Sequence, residues 1–104
     1  MNKEILASVS VLYVEDENDV REFTAKLLSS LVKKVYSAEN GLDGLEQFKA
    51  NKDDIDLIVT DINMPKMDGL EMCAQIKEIN SEIPIVITSA HNDPSFLKRA
   101  INVG

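Results

Sequence analysis

Cysteine is nearly missing from this chain. Cys73 is the single one in 104 residues, so no disulfide can form within it and a disulfide-stapled scaffold is excluded. Positive charge is scarce as well: eleven Lys and Arg stand against eighteen Asp and Glu, a net charge of −7 with pI near 4.6. That balance argues against nucleic-acid binding by this segment, because a phosphate backbone is held by clustered cations. No apolar run approaches the roughly 18 residues that a bilayer span needs. The opening MNKEILASVSVLYVEDE has no apolar stretch followed by a cleavage site. A cytoplasmic protein without a membrane role is expected. No repeat, linker or low-complexity segment interrupts the sequence.

What is present is ordinary globular composition, 44% hydrophobic and 28% charged, enough for one core and too little for two, so residues 1–104 are read as one domain. Four short runs rich in Val and Ile read as strands: VSVLYV (9–14), KVYSA (34–38), IDLIVT (55–60) and IPIVITS (83–89). Amphipathic segments follow each. After the first strand, Asn18 or Asp19 can cap a helix ending near Ser30, with Val20, Phe23, Leu27, Leu28 and Leu31 gathered on one face. NGLDGLEQFKAN (40–51) places Leu42, Leu45 and Phe48 at steps of three, although Gly41 and Gly44 weaken the start of that helix. MDGLEMCAQIKEIN (67–80), capped by Asp68 and stopped before Pro84, brings together Leu70, Cys73, Ala74, Ile76 and Lys77. DPSFLKRAINVG (93–104) begins a fourth helix, with Asp93 as cap, Pro94 at its first position, and Phe96, Leu97, Ala100 and Ile101 inward. Strand and helix alternate four times, which implies an α/β fold with a parallel sheet and helices on both faces.

In an open sheet of this kind ligands bind beyond the carboxyl ends of the strands. Glu15 and Asp16 directly follow the first strand, Asp61 follows the third, and Ser89 closes the fourth. Three crowded carboxylates repel one another unless a cation sits among them, and hard oxygen donors select Mg2+ or a similar divalent ion. Asn63, two residues past Asp61, is placed to add a backbone carbonyl. A carboxylate beside such a cation can attack phosphorus and form an aspartyl phosphate. The Ser89 hydroxyl could then hydrogen-bond a phosphoryl oxygen.

VLYVEDE, VTDINMP, DGLEM and PIVITSAHND together resemble the receiver domains of two-component response regulators, and the resemblance runs through the whole chain. It implies a flavodoxin-like doubly wound sheet of order 2-1-3-4. It further implies that Asp61 is the phosphoacceptor, Glu15 and Asp16 the acidic pair that binds Mg2+, Asn63 the carbonyl donor and Ser89 the switch hydroxyl. Ser89 matches better than Thr88, since it precedes the small Ala90 and lies five residues after Pro84, and alternation turns Thr88 to the opposite face. The implied partner is a histidine kinase or phosphotransfer protein, with an output domain possible beyond residue 104. The family continues with a fifth strand ending in Lys-Pro and a fifth helix, whereas these 104 residues stop at Gly104, so the domain reads as C-terminally incomplete. Its lysine and the aromatic switch residue of that strand have no counterpart here, and self-association of the shortened form is expected, with the fourth strand an apolar edge.

Two rival functions are carried alongside. An aspartyl-phosphate phosphatase or phosphotransferase of the haloacid dehalogenase type requires a second aspartate two residues after the nucleophile, where this chain has Asn63. A pseudo-receiver binding module is opposed by the intact acidic triad and left open by the missing lysine. The receiver reading makes the protein a switch and not a turnover enzyme. A calcium loop is excluded by Pro65 and Lys66, which occupy positions where that loop needs an oxygen donor and a glycine. Glu17 reads as solvated, Cys73 as a small core residue, His91 as a surface loop residue, Pro65 as a loop former, and Met64 and Met67 as loop packing.

Overall fold

The computed structural model of the protein describes residues 3–88. Its four strands are β1 (Ser10–Val14), β2 (Lys34–Ala38), β3 (Leu57–Thr60) and β4 (Ile85–Ile87). All pair in parallel in the order β2-β1-β3-β4, the flavodoxin-like order implied by the resemblance. The helices are α1 (Lys3–Leu6), α2 (Asn18–Ser29), α3 (Gly41–Asn51) and α4 (Gly69–Ile79). Helix α1 was not foreseen in the sequence. The expected helix over 93–104, with Ser89 and His91, lies outside the described residues.

The central strand shows why the fold is layered. Every residue of β1 is buried, because successive side chains alternate between two covered faces. Leu12 and Val14 join Ala38, Leu45, Phe48, Ile58, Met72, Cys73 and Ile76 on the side of α3 and α4. Val11 and Tyr13 meet Val32 on the other side, with Ala25 and Leu28 of α2 packed against them. Burial also pushes the Cys73 thiol up to about 12, so this residue is the small apolar core element expected and not a nucleophile.

Helix α4 starts on the Asp68 cap that the sequence predicts, and α3 on an Asn40 cap that it did not single out. The Asn40 side chain accepts from the Asp43 amide at 2.8 Å and that of Asp68 from the Glu71 amide at 2.8 Å, each satisfying a first-turn donor that has no partner within the helix. Helix α2 departs from expectation. Its N-cap is Glu17, without a side-chain cap bond, and not Asn18 or Asp19. Its apolar face also points the other way: Val20, Phe23, Leu27 and Leu31 are 39, 72, 56 and 48% exposed, and no α2 residue is fully buried. Of the expected face only Leu28 packs on the sheet, joined there by Ala25, which the spacing had not singled out. On α3 and α4, Leu42 and Ala74 are likewise exposed, while Met72 takes a buried place that the helical spacing had not singled out. Among the described residues no helix is long and apolar enough to cross a membrane.

Candidate functional site

Parallel pairing brings the carboxyl ends of the strands level. Val14 is in register with Ala38 on one side and Thr60 on the other, and the ladder runs one residue further. The Glu15 amide donates to the Ala38 carbonyl at 3.0 Å, the Asp61 amide to Val14 at 3.1 Å, and the Thr88 amide to Thr60 at 2.9 Å. Glu15 and Asp61 are thus the first residues past the sheet on adjacent strands, with their backbones still held by it.

Glu15, Asp16 and Asp61 each present a carboxylate oxygen, and these oxygens lie within 4.8 Å of one another. Glu15 and Asp61 are half-buried and Asp16 is exposed. Burial, followed by the negative charges of Asp61 and Asp16, holds the Glu15 carboxyl above its ordinary range, although a hydrogen bond from the Glu17 amide works in the opposite direction. An all-oxygen set of hard, mutually repelling carboxylates fits Mg2+. Asn63 lies exposed two residues beyond Asp61 in the same loop.

The loop that carries Asp61 is held at several points. Asp61 Oδ1 accepts from the Ile62 amide at 2.8 Å, and the buried Thr60 hydroxyl donates to the Asp61 carbonyl at 2.8 Å. The Gly69 amide closes the loop onto the Ile62 carbonyl at 2.8 Å, while the Gly41 amide at the start of α3 reaches the Met67 carbonyl at 3.0 Å. Lys66 takes a left-handed backbone with φ 70. Met64 and Met67 pack on the core beside α4, the loop-packing role read from the sequence.

Sequence reasoning missed four residues here: Arg21, Thr60, Gly41 and Gly69. For Thr60 a signal existed, since strand alternation places its hydroxyl inward, where it must find an acceptor. For the two glycines there was none, because the approach of one loop to another leaves no local trace. Arg21 donates from Nη1 to the Glu15 carbonyl at 2.8 Å and from Nη2 to Asn18 Oδ1 at 2.5 Å, so a cation stands beside the acidic loop.

Comparison with known proteins agrees with this geometry. The family model for the response regulator receiver domain matches residues 11–104. The chemotaxis protein CheY of Treponema pallidum is 35% identical over 99 residues, which cover 94% of this chain and 69% of that protein. Response regulators of Mycobacterium also match, and the chain spans 41% of their length. Among solved structures, the N-terminal domain of an uncharacterized protein from Wolinella succinogenes superposes with a TM-score of 0.86 at 34% identity, covering 92% of this chain and 76% of that one. The CheX-CheY-BeF3-Mg+2 complex of Borrelia burgdorferi gives 0.81 at 26% identity, covering all of this chain and 78% of that one. With the parallel 2-1-3-4 sheet and the three carboxylates gathered at its carboxyl edge, the match over nearly the whole sequence means that this chain belongs to the response regulator receiver domain family.

Proposed function

We propose that the protein is the phosphoacceptor receiver of a two-component pathway, taking a phosphoryl group onto Asp61 from a histidine kinase or phosphotransfer protein. The observation that carries this reading is the meeting of Glu15, Asp16 and Asp61 within 4.8 Å at the carboxyl edge of a receiver fold. An Asp61 carboxylate oxygen attacks the donor's phosphorus, a P–O bond forms, and the P–N bond to the donor histidine breaks with the electron pair leaving on nitrogen. Glu15 and Asp16, with Asp61 and the Asn63 carbonyl, would hold Mg2+. When bound, that ion neutralises charge on the phosphoryl oxygens. Ser89 reads the phosphorylated state by hydrogen bonding. The action is that of a cytoplasmic switch feeding an output, and not that of a turnover enzyme.

The relative from Borrelia burgdorferi carries BeF3 and Mg+2 in its complex, and that pairing suggests the test. Beryllofluoride with magnesium is expected to bind the wild type, and acetyl phosphate to add a phosphoryl mass that is lost on mild hydrolysis, as acyl phosphates are. Asp61→Asn should abolish both. A mass adduct that persists in Asp61→Asn would place the chemistry elsewhere.

Self-association belongs to the same reading, and the exposed stripe of α2 supports it. Val20, Phe23 and Leu27 of α2 and Leu31 just beyond it are large apolar residues left exposed, the kind of surface that seeks a partner. In sedimentation at matched concentration, the 104-residue chain is expected to show dimer that the double variant Phe23→Glu, Leu27→Glu loses. A wild type that stays monomeric throughout would remove self-association from the proposal.

A further inference from the structure

The sheet holds the backbone of Glu15, but nothing in the ladder reaches Asp16. That residue sits in a bend, exposed, and the Glu17 N-cap after it makes no side-chain cap bond. The backbone of Asp16 is therefore held by something other than the sheet. Arg21 is on the first turn of α2, its own amide bonded to the Glu17 carbonyl at 2.9 Å. Its guanidinium turns back over the loop, with Nη1 reaching the carbonyls of Glu15 at 2.8 Å and Asp16 at 3.5 Å and Nη2 reaching Asn18 Oδ1 at 2.5 Å. These acceptors are carbonyl and amide oxygens; none is a carboxylate.

We infer that Arg21 is a positioning residue for the acidic site, setting the path of residues 15–18 by spending its planar fork of donors on their backbone and on Asn18 while leaving the carboxylates to the metal. The inference rests on the magnesium reading given above and adds to it the group that orients the ligands. Outer partners that orient metal ligands contribute about 10- to 100-fold to affinity when removed singly.

Charge and positioning predict opposite signs, which makes the inference testable. A cation beside a divalent-ion site repels that ion, so if Arg21 were only a nearby charge, Arg21→Met would tighten Mg2+ binding and Arg21→Lys would leave it unchanged. If Arg21 positions the loop, both variants weaken binding, by about 10-fold or more, because lysine keeps the charge but lacks the fork. Titration of Mg2+ alone against the wild type, Arg21→Met, Arg21→Lys and Asp16→Asn, with melting curves to confirm folding, separates the outcomes. Weaker binding in both Arg21 variants supports the inference. Tighter or unchanged binding in either folded variant overturns it. A wild type that binds no Mg2+, or an Asp16→Asn variant that binds as the wild type does, fails the magnesium reading itself, and the inference falls with it.

Discussion

Replacing Gly69 with alanine is expected to lower the melting temperature of the protein by several degrees and to disturb the Asp61 loop at the same time. A Cβ on Gly69 would stand 2.0 Å from the Asp61 carbonyl oxygen and 3.1 Å from Thr60 Oγ1. The first of these is backbone, one residue past β3 and tied to the sheet through the Asp61 amide, so it cannot swing aside as a side-chain tip can. Gly69 also opens α4, where alanine would gain up to about 1 kcal/mol of helix propensity. Overpacking of this kind costs about 1–3 kcal/mol, occasionally more, and the clash wins because a contact this short must be relieved by moving the strand end or the helix. For a domain of this size each kcal/mol is worth roughly 4–8 °C.

Gly44 provides the control. Its added Cβ would meet Met72 Sδ at 2.5 Å and Val14 Cγ2 at 3.0 Å, and the thioether is flexible enough to give way. Gly44→Ala lies within α3, gains the same propensity, and should melt close to the wild type. Thermal denaturation of the two variants checks the contrast. Equal melting temperatures for Gly69→Ala and the wild type would mean that the loop is not clamped as the distances indicate.

The second large effect is expected at the carboxylates. Magnesium should stabilise the wild type, and Asp16→Asn should weaken the affinity about tenfold or more. Asp16 is exposed, so water-like screening is the conservative choice: two unit charges about 5 Å apart then interact by a little under 1 kcal/mol, and a divalent ion doubles that. A loss of about 1.4 kcal/mol is a factor of ten. The pH dependence has a definite sign. The Glu15 carboxyl is raised above its ordinary 4.5, chiefly by burial and then by Asp61. The stability it contributes to the metal-free fold is therefore full below that value and is lost as pH rises through the raised one. Magnesium offsets this loss, so its stabilising effect should grow from about pH 4.5 toward neutrality. Melting curves with and without Mg2+ across that range, for both proteins, would check it. A magnesium effect that is flat with pH, or equal in Asp16→Asn, would contradict the proposed site.

Much of this was legible in the sequence because the signals are local. Valine- and isoleucine-rich runs marked the strands to within two residues at every end, since apolar β-branched residues suit a sheet covered on both faces. Asp68 announced its helix because a cap acts on amides two or three residues away, whereas the cap at Asn40 was seen only in the structure. Helix α2 marks the limit of such reading. Spacing alone located a stripe in Val20, Phe23, Leu27 and Leu31, but a stripe does not say which way it faces. The small Ala25 and the flanking Leu28 let the helix settle against Val11, Tyr13 and Val32, and the stripe was left outward.

Carboxylates at strand ends were readable from the chain alone, because the pair Glu15 and Asp16 and the single Asp61 come straight after strand-like runs. So was the alternation of strand and helix that makes a parallel sheet. How close those carboxylates stand was settled by strand pairing. The register of Val14 with Thr60 aligns the ends of β1 and β3, and no local pattern encodes pairing between strands more than forty residues apart. The same holds for Arg21 over the acidic loop and for Gly69 beneath the Asp61 carbonyl. Their roles are distances between elements, and a distance of that kind exists only once the sheet has assembled and the helices have packed on it.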